Sequence, residues 1–282
     1  MADIKKTLHV AGKVNLHTHS WYCGHGTGTL SEYVQAARSL GFTALGLSEH
    51  CPVPDDRWRE SRMPYSSIDT YMTECRQLQS RERGLQILCG FECDHDPRYV
   101  AWYRERLLEN RFTDYIAFGV HHVDGPDGKE TYAPKLPPTK QSLHTYTNRY
   151  VDALQSGNYL FGVHPDLFGV FYTRWDDEAA SCSREILRCA KDMGIPLEIN
   201  GYGLRKTPIH TETGPRQPYP LREFWELAAE EEVITIVNSD AHDPRDLDLR
   251  GVGAFELAAE MGITVSGWSV VQEGKNLTIT PA

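Results

Sequence analysis

The sequence predicts an α/β fold of about seven strand-plus-helix units with parallel strands. Three observations predict it. Short apolar runs alternate with segments of helical periodicity along the chain, and such alternation needs crossover helices between parallel strands. Capping residues and glycines punctuate the helices. Polar groups able to bind metal stand at strand end after strand end, where the active groups of an open parallel sheet or a closed barrel collect.

The first strand spans Val14 to His17 in "VNLHTHSWYCGHG". Thr29-Leu-Ser-Glu32 then forms a capping box. Leu30, Tyr33, Val34, Ala37 and Leu40 follow at helical spacing, and Gly41 stops that helix. The strand "FTALGLSEH" comes next, then a helix over roughly 66–81 and the strand "LQILCGFE". A helix near 99–109 precedes "DYIAFGVHH", and residues 125–138 form a loop rich in Gly and Pro. A helix over about 139–155, the strand "YLFGVHPD" and a helix near 181–193 ending at Gly194 continue the cycle. "IPLEIN", a helix opened by Pro220 and "VITIVNSDAH" close it.

The 282 residues, 40% of them hydrophobic, can bury one large core. No apolar run approaches the roughly 18–20 residues of a membrane span, and "MADIKKTLHVAGK" lacks the apolar centre of a secretion signal. A cytoplasmic location with no membrane partner is expected. The net charge of −10 and the absence of a basic face argue against nucleic acid. Seven cysteines without a paired framework read as reduced thiols. Cys23, Cys51 and Cys93 stand beside motif residues and keep a ligand or tuning role open.

Twelve histidines is a high count, and their placement is ordered. His17 and His19 close the first strand, Glu49 and His50 the second, and Glu92 the third. His121 and His122 close the fourth, His164 and Asp166 the fifth, and Asp240 and His242 the last. Alternate residues of an extended chain point the same way, so His17 and His19 form one pincer and Asp240 and His242 another. Mixed imidazole and carboxylate donors suit Zn, Mn or Fe rather than Mg or Ca. Seven histidines and two carboxylates are too many donors for one ion, so two or three divalent ions are expected. Three ions with Glu92 and Asp240 as the only anionic ligands leave about +4 of local charge. Hydroxide and a phosphate dianion would balance most of that, which fits hydrolysis of a phosphate ester.

The motifs "HTHS", "CGHG", "LSEH", "GFE", "GVHH", "HPD" and "NSDAH", in this order from Val14 to about Asp248, resemble the PHP family, named for polymerase and histidinol phosphatase. "HTHSWYCGHG", the stretch from "LSEHCPVP" to "RMPYSSIDTYMTECRQL", and "EINGYGLRK" are most similar to its monofunctional histidinol-phosphate phosphatase branch. The resemblance implies a distorted seven-stranded (β/α)7 TIM-like barrel, here as a single domain over residues 1–282. It implies one ion held by His17, His19, Glu92 and Asp240. Glu92 bridges to a second ion at His121 and His164, and His25, His50 and His242 hold a third. His121 is favoured over His122. A metal-bridging hydroxide would attack phosphorus in line, with Asp240, His242 and Glu92 as the candidate catalytic residues. The implied substrate is a small phosphate ester, L-histidinol phosphate first and a nucleotide or sugar phosphate as the alternative. A monomer or small homo-oligomer is expected.

Arginine matches phosphate geometry. Arg205, just past the sixth strand, stands at the family's position, and Arg174 in "VFYTRW" is a second candidate. Glu49, Asp166 and Asn200 are candidates to orient the imidazoles. His9, His144 and His210 read as structural or surface residues. "FECDH" departs from the family at Cys93 and His95, and "HTETGPRQPYP" is a long insert; both could reshape the alcohol pocket. An amidohydrolase-like enzyme shares strand-end H-x-H ligation but often uses a carboxylated lysine, and no lysine stands at a strand end here. A metal-stabilised accessory domain is the non-enzymatic reading.

Overall fold

The computed structural model describes residues 6–10, 13–125, 127–249, 252–273 and 276–281. The strands are β1 (Lys6–Val10), β2 (Lys13–Asn15), β3 (Phe42–Leu47), β4 (Gln86–Asp94), β5 (Tyr115–Gly119), β6 (His122–Asp124), β7 (Glu130–Tyr132), β8 (Leu197–Asn200), β9 (Ile209–Thr211), β10 (Gly214–Arg216), β11 (Thr235–Asn238), β12 (Trp268–Glu273) and β13 (Asn276–Pro281). The helices are α1 (Leu30–Ser39), α2 (Ile68–Arg81), α3 (Val100–Trp102), α4 (Lys140–Gln155), α5 (Asp177–Met193), α6 (Gly201–Arg205), α7 (Arg222–Glu230) and α8 (Ala254–Glu260).

A parallel ladder joins β2, β3, β4 and β5 in that order, and a second joins β8 to β11. Gly162 links the two by parallel bridges to Phe118 in β5 and Leu197 in β8. At the other edge Thr18 bridges Ala241. There Leu16 N donates to Asn238 Oδ1 at 2.7 Å and His19 N donates to Ala241 O at 2.8 Å. The result is an α/β fold with a curled parallel sheet, whose first and last strands meet. A separate antiparallel sheet, β1-β12-β13, pairs the two ends of the chain.

The period of two in β4 shows how the sheet sorts its side chains. Ile87, Cys89, Phe91 and Cys93 belong to the large apolar cluster that also contains helix residues such as Tyr33, Tyr71 and Leu107. Leu88 turns the other way and joins Leu16, Ala44, Tyr115, Ala117, Phe161, Val163 and Ile236 inside the curl, against Trp268 and Ile279 of the terminal sheet. Glu92 and Asp94 continue that inner row towards the carboxyl end of the strand, so an apolar interior gives way to buried carboxylates there.

Several elements differ from expectation. α1 carries the expected box: Thr29 accepts from Glu32 N and donates its own N–H to Glu32 Oε2 at 2.7 Å. α5 begins four residues ahead of the expected start because Asp176 caps it, accepting from Ala179 N at 3.0 Å. The helix after Tyr99 widens into π geometry over Tyr103–Glu109. "YLFGVHPD" forms single bridges instead of a ladder strand. His164 takes a left-handed φ of 29°, and Pro165 has no N–H to donate, so extended pairing stops there. α6, α8 and the terminal sheet are additional to the expected units.

Candidate metal centre

Loops leaving the carboxyl ends of β2, β3, β4, β5, β8 and β11 meet at one end of the curl. Tight backbone geometry sets two of the candidate ligands: His164 and Asp240 both hold left-handed φ, 29° and 47°. A side chain carrying Cβ tolerates this only where surrounding structure enforces it, as functional sites often do. Beside Asp240, Tyr33 braces the backbone, donating its hydroxyl to His19 O at 2.7 Å and to Ala241 O at 3.1 Å.

Glu92 is the centre of the group. Its Oε2 lies 2.7 Å from His50 Nδ1, 3.3 Å from His19 Nε2 and 3.5 Å from His17 Nε2. Its Oε1 lies 3.1 Å from His164 Nε2 and 3.4 Å from His121 Nε2. One carboxylate thus faces two sets of imidazoles. Asp240 Oδ1 approaches His19 Nε2 at 3.2 Å, His17 Nε2 at 3.5 Å and His242 Nδ1 at 3.5 Å. His25 sits exposed at the rim, its Nε2 3.0 Å from His242 Nε2.

The donor set fits cations. His17 Nε2, His19 Nδ1 and Nε2, His121 Nδ1, His164 Nδ1 and Asp240 Oδ1 are buried without a hydrogen bond, a costly state for polar atoms unless something binds them. Tautomers sharpen the point. His25 Nδ1 lies 3.1 Å from Cys23 O, and His242 Nδ1 lies 3.1 Å from Asp240 O. A carbonyl only accepts, so each Nδ1 carries the proton and each Nε2 presents its lone pair. Two lone pairs facing at 3.0 Å repel unless a cation or proton lies beside them. Gly119 keeps the space open: a Cβ there would come within 2.7 Å of His121, 2.9 Å of Glu92 Oε1 and 2.9 Å of His164. Donor triads compatible with an ion at this end of the curl are His19-His50-His242, His17-His19-Glu92, His50-Glu92-His121 and Cys23-His25-His242; a further one, His144-Glu178-Cys182, lies elsewhere. The structure therefore brings His50 and His242 together with His19, and places His25 with His242 and Cys23.

Charge states follow from burial and neighbours. Burial, aided by His242, pushes His19 down to about 3. Burial pushes His121 down to about 4 against the pull of Glu92 and Asp94. Burial opposes charge on Glu92 as well, but His50, His121 and His17 hold its carboxyl well below the usual range. His17, His19 and His242 do the same for Asp240 against its burial. His17 and His164 shift the other way, raised against their burial by Glu198 and by Glu92 respectively, so a divalent cation entering the group would displace their protons, since neutral imidazole is the form that binds metal.

Support residues surround this group. Glu198, absent from the expected set, receives His17 Nδ1 at 2.9 and 3.1 Å, His164 N at 3.2 Å and Asn200 Nδ2 at 3.1 Å. Asn200 Nδ2 also donates to Asp240 Oδ2 at 3.1 Å. Asp94, also missed, accepts from His121 N at 2.8 Å, Arg62 Nη2 at 3.2 Å and His122 Nδ1 at 2.6 Å. Both were detectable by the alternation rule: Asp94 lies two residues after Glu92, and Glu198 two before Asn200. Glu49 takes the hydroxyl of Ser20 at 2.5 Å, with Oε2 3.9 Å from His19 Nδ1. Asp166 orients no imidazole; it accepts from Leu221 N at 2.5 Å and Trp225 Nε1 at 3.1 Å, fastening α7.

A cavity of about 460 Å³ opens on the cluster. Glu92, Asp240 and His242 line it, with His25, His50, His121 and His164; Arg62, His122, Tyr132, Tyr202, Lys206 and Tyr219 supply much of the rest. Arg174 does not line it: its guanidinium pairs with Asp176 at 3.0 Å and packs on Tyr172. Arg205 does not line it either; its Nη2 donates to Ser239 O at 2.6 Å, while Nε and Nη1 are buried without a hydrogen bond. Cys93 points into the outer apolar cluster, and His95 is spent on Tyr159 and Asp152, so neither shapes the cavity. The insert does contribute, through Pro218 and Tyr219, while His210 is exposed. His144 lies half exposed against Glu178, and the side chain of His9 is outside the described residues.

Residues 15–201 match the PHP domain. This chain belongs to the PHP domain family. Asp240 and His242 lie beyond the matched segment, and the fold carries them to it. A Deinococcus radiodurans protein named "Probable histidinol-phosphatase" is 28% identical over 259 residues, covering 90% of this chain and 95% of its own. A Schizosaccharomyces pombe protein of the same name is 25% identical, covering 89% and 87%. The crystal structure of histidinol phosphate phosphatase from Lactococcus lactis, complexed with zinc, L-histidinol and phosphate, superposes with a TM-score of 0.70 at 16% identity, covering 95% of this chain and 99% of that one. Among the described residues no helix is long and apolar enough to cross a membrane.

Proposed function

We propose that the chain is a metal-dependent phosphomonoesterase that hydrolyses L-histidinol phosphate to L-histidinol and phosphate. The observation that carries this reading is the position of Glu92, whose two oxygens face separate imidazole sets within 3.5 Å in the lining of the cavity. Two relatives bearing the histidinol-phosphatase name align with about nine-tenths of the chain, and a protein of the same fold holds zinc, L-histidinol and phosphate. We read the curled sheet, with residues near Gly162 as one of its members, as the distorted seven-stranded barrel, and residues 1–282 as a single domain.

In this reading His17, His19, His25, His50, Glu92, His121, His164, Asp240 and His242 hold two or three ions of Zn, Mn or Fe. Bound ions would supply positive charge that acidifies water and neutralises phosphoryl oxygens. The chain's own residues do the rest. Glu198 and Asn200 fix His17 and Asp240 in register. Asp240, His242 and Glu92 border the cavity floor and face the phosphoryl centre. Tyr132, Tyr202 and Tyr219 wall the space and limit water. Arg205 keeps two guanidinium nitrogens without hydrogen bonds and is the candidate phosphate donor carried by the resemblance.

The test is phosphate release from L-histidinol phosphate, nucleotides, sugar phosphates and p-nitrophenyl phosphate, with metal analysis of the same sample. Preference for L-histidinol phosphate is expected. Release from it no faster than from p-nitrophenyl phosphate would reject the substrate; preference for a nucleotide or sugar phosphate would retain the chemistry and change the ester.

A further inference from the structure

We propose that Lys206 is a substrate-binding residue whose ammonium holds the phosphate group of the ester. This rests on the phosphatase reading above and gives a role to a residue that ends the motif "EINGYGLRK" but received none from the sequence.

Lys206 follows α6 and lines the cavity together with Glu92, Asp240 and His242. Its ammonium lies 4.0 Å from the Tyr202 ring centroid and 6.0 Å from that of Tyr219. Each of these rings packs on a candidate metal ligand. Tyr202 stacks on His242 at 4.7 Å, and Tyr219 meets His164 edge-on at 5.9 Å. Two aromatic faces thus hold the cation one ring away from the metal group, by the attraction between an ammonium and a ring quadrupole. Close packing fixes α6 there, since a Cβ on Gly203 would come within 2.3 Å of Tyr219.

The cation lacks a counter-ion. Among the described residues, no carboxylate pairs with Lys206 and no acceptor takes a hydrogen bond from its Nζ. Burial favours its neutral form, with only the charge of Asp240 working the other way. A half-buried ammonium with three unused donors is costly to leave unpaired and is suited to an arriving anion. Neighbouring cations are differently engaged. Arg62 pairs with Asp94 and stacks on Trp58; Arg205 is anchored on Ser239 and faces Asp246. Lys206 is the cavity cation that pairs with no protein carboxylate among the described residues, and a phosphate held over the metal group comes within the same lining.

The experiment uses zinc-loaded full-length protein, with inorganic phosphate as the probe, measured by calorimetry beside steady-state hydrolysis of L-histidinol phosphate and elemental analysis. Lys206→Met should weaken phosphate binding about tenfold. It should raise KM by a similar factor with a smaller change in kcat, at unaltered metal content. Lys206→Arg should keep most of the affinity. Unchanged phosphate affinity in Lys206→Met overturns the proposal. So does loss of metal in both variants, which would make the residue a structural prop. If the wild type fails to hydrolyse L-histidinol phosphate yet Lys206→Met still loses phosphate affinity, the substrate assignment falls and the role of Lys206 stands.

Discussion

Glu198 cups His17: its two carboxylate oxygens lie 2.9 and 3.1 Å from His17 Nδ1, and both residues are fully buried. The carboxylate holds the proton on Nδ1 and leaves Nε2 to face Glu92 and Asp240. A metal ligand oriented in this way is more basic and loses less freedom on binding.

Replacing Glu198 by Gln keeps the shape but reverses half of the hydrogen bonding. His17 Nδ1, His164 N and Asn200 Nδ2 are all donors, so the new amide NH₂ must face one of them. Metal affinity should fall by roughly 10- to 100-fold, read by competition with a chromogenic chelator. Affinity equal to wild type would show that this carboxylate does not orient the site.

Gly119→Ala places a methyl group against His121, Glu92 Oε1 and His164 at once, all at 2.9 Å or less. None of these is the free end of a flexible chain. Bound metal should drop, with activity falling in proportion, while far-ultraviolet circular dichroism stays native. A variant with full metal content would contradict the crowding argument.

In the proposed reading Arg205 turns to the phosphate from outside the cavity lining, away from Ser239 and Asp246, so Arg205→Ala should raise KM about tenfold and leave metal content within error. Loss of metal instead would assign the residue to holding the Ser239 carbonyl, and through it Asp240.

His95 provides a pH test away from the metal. Burial holds its pKa below 6.5, against the pull of Asp152, so the folded chain carries it neutral. The unfolded chain binds the proton more readily. Stability from this group is therefore present above about pH 6.5 and is lost as pH falls from there towards the lowered folded value. Thermal melts from pH 8 to pH 5 should decline less steeply in His95→Gln than in wild type. Parallel declines would mean that His95 titrates alike in both states.

Much of the site is legible in the amino-acid sequence alone. Strand ends converge in any parallel α/β fold, so nine donors spaced across two hundred positions can be assigned to one place. The capping box at Thr29 needs only four letters. What escapes is set by tertiary contacts. The segment around Gly162 reads as a strand from its apolar run, but the left-handed His164 and the following proline end its pairing. Glu198 shares a strand face with Asn200 by alternation, but only its tertiary contact with His17 makes it an anchor. Arg174 resembles a phosphate clamp by residue type alone, and a neighbouring aspartate claims it. Lys206 is overshadowed by the arginine beside it, since the direction of each side chain from α6 is decided by Tyr202, Tyr219 and Ser239.

The central claim is that these donors form one cage for several cations. Metal-to-protein ratio measures it most directly, by elemental analysis after zinc loading and gel filtration, with Glu92→Gln alongside. About two or three ions per wild-type chain are predicted, with at least one lost in Glu92→Gln because the shared carboxylate faces both imidazole sets. A ratio of one or less in wild type, or an unchanged ratio in Glu92→Gln, would contradict the account.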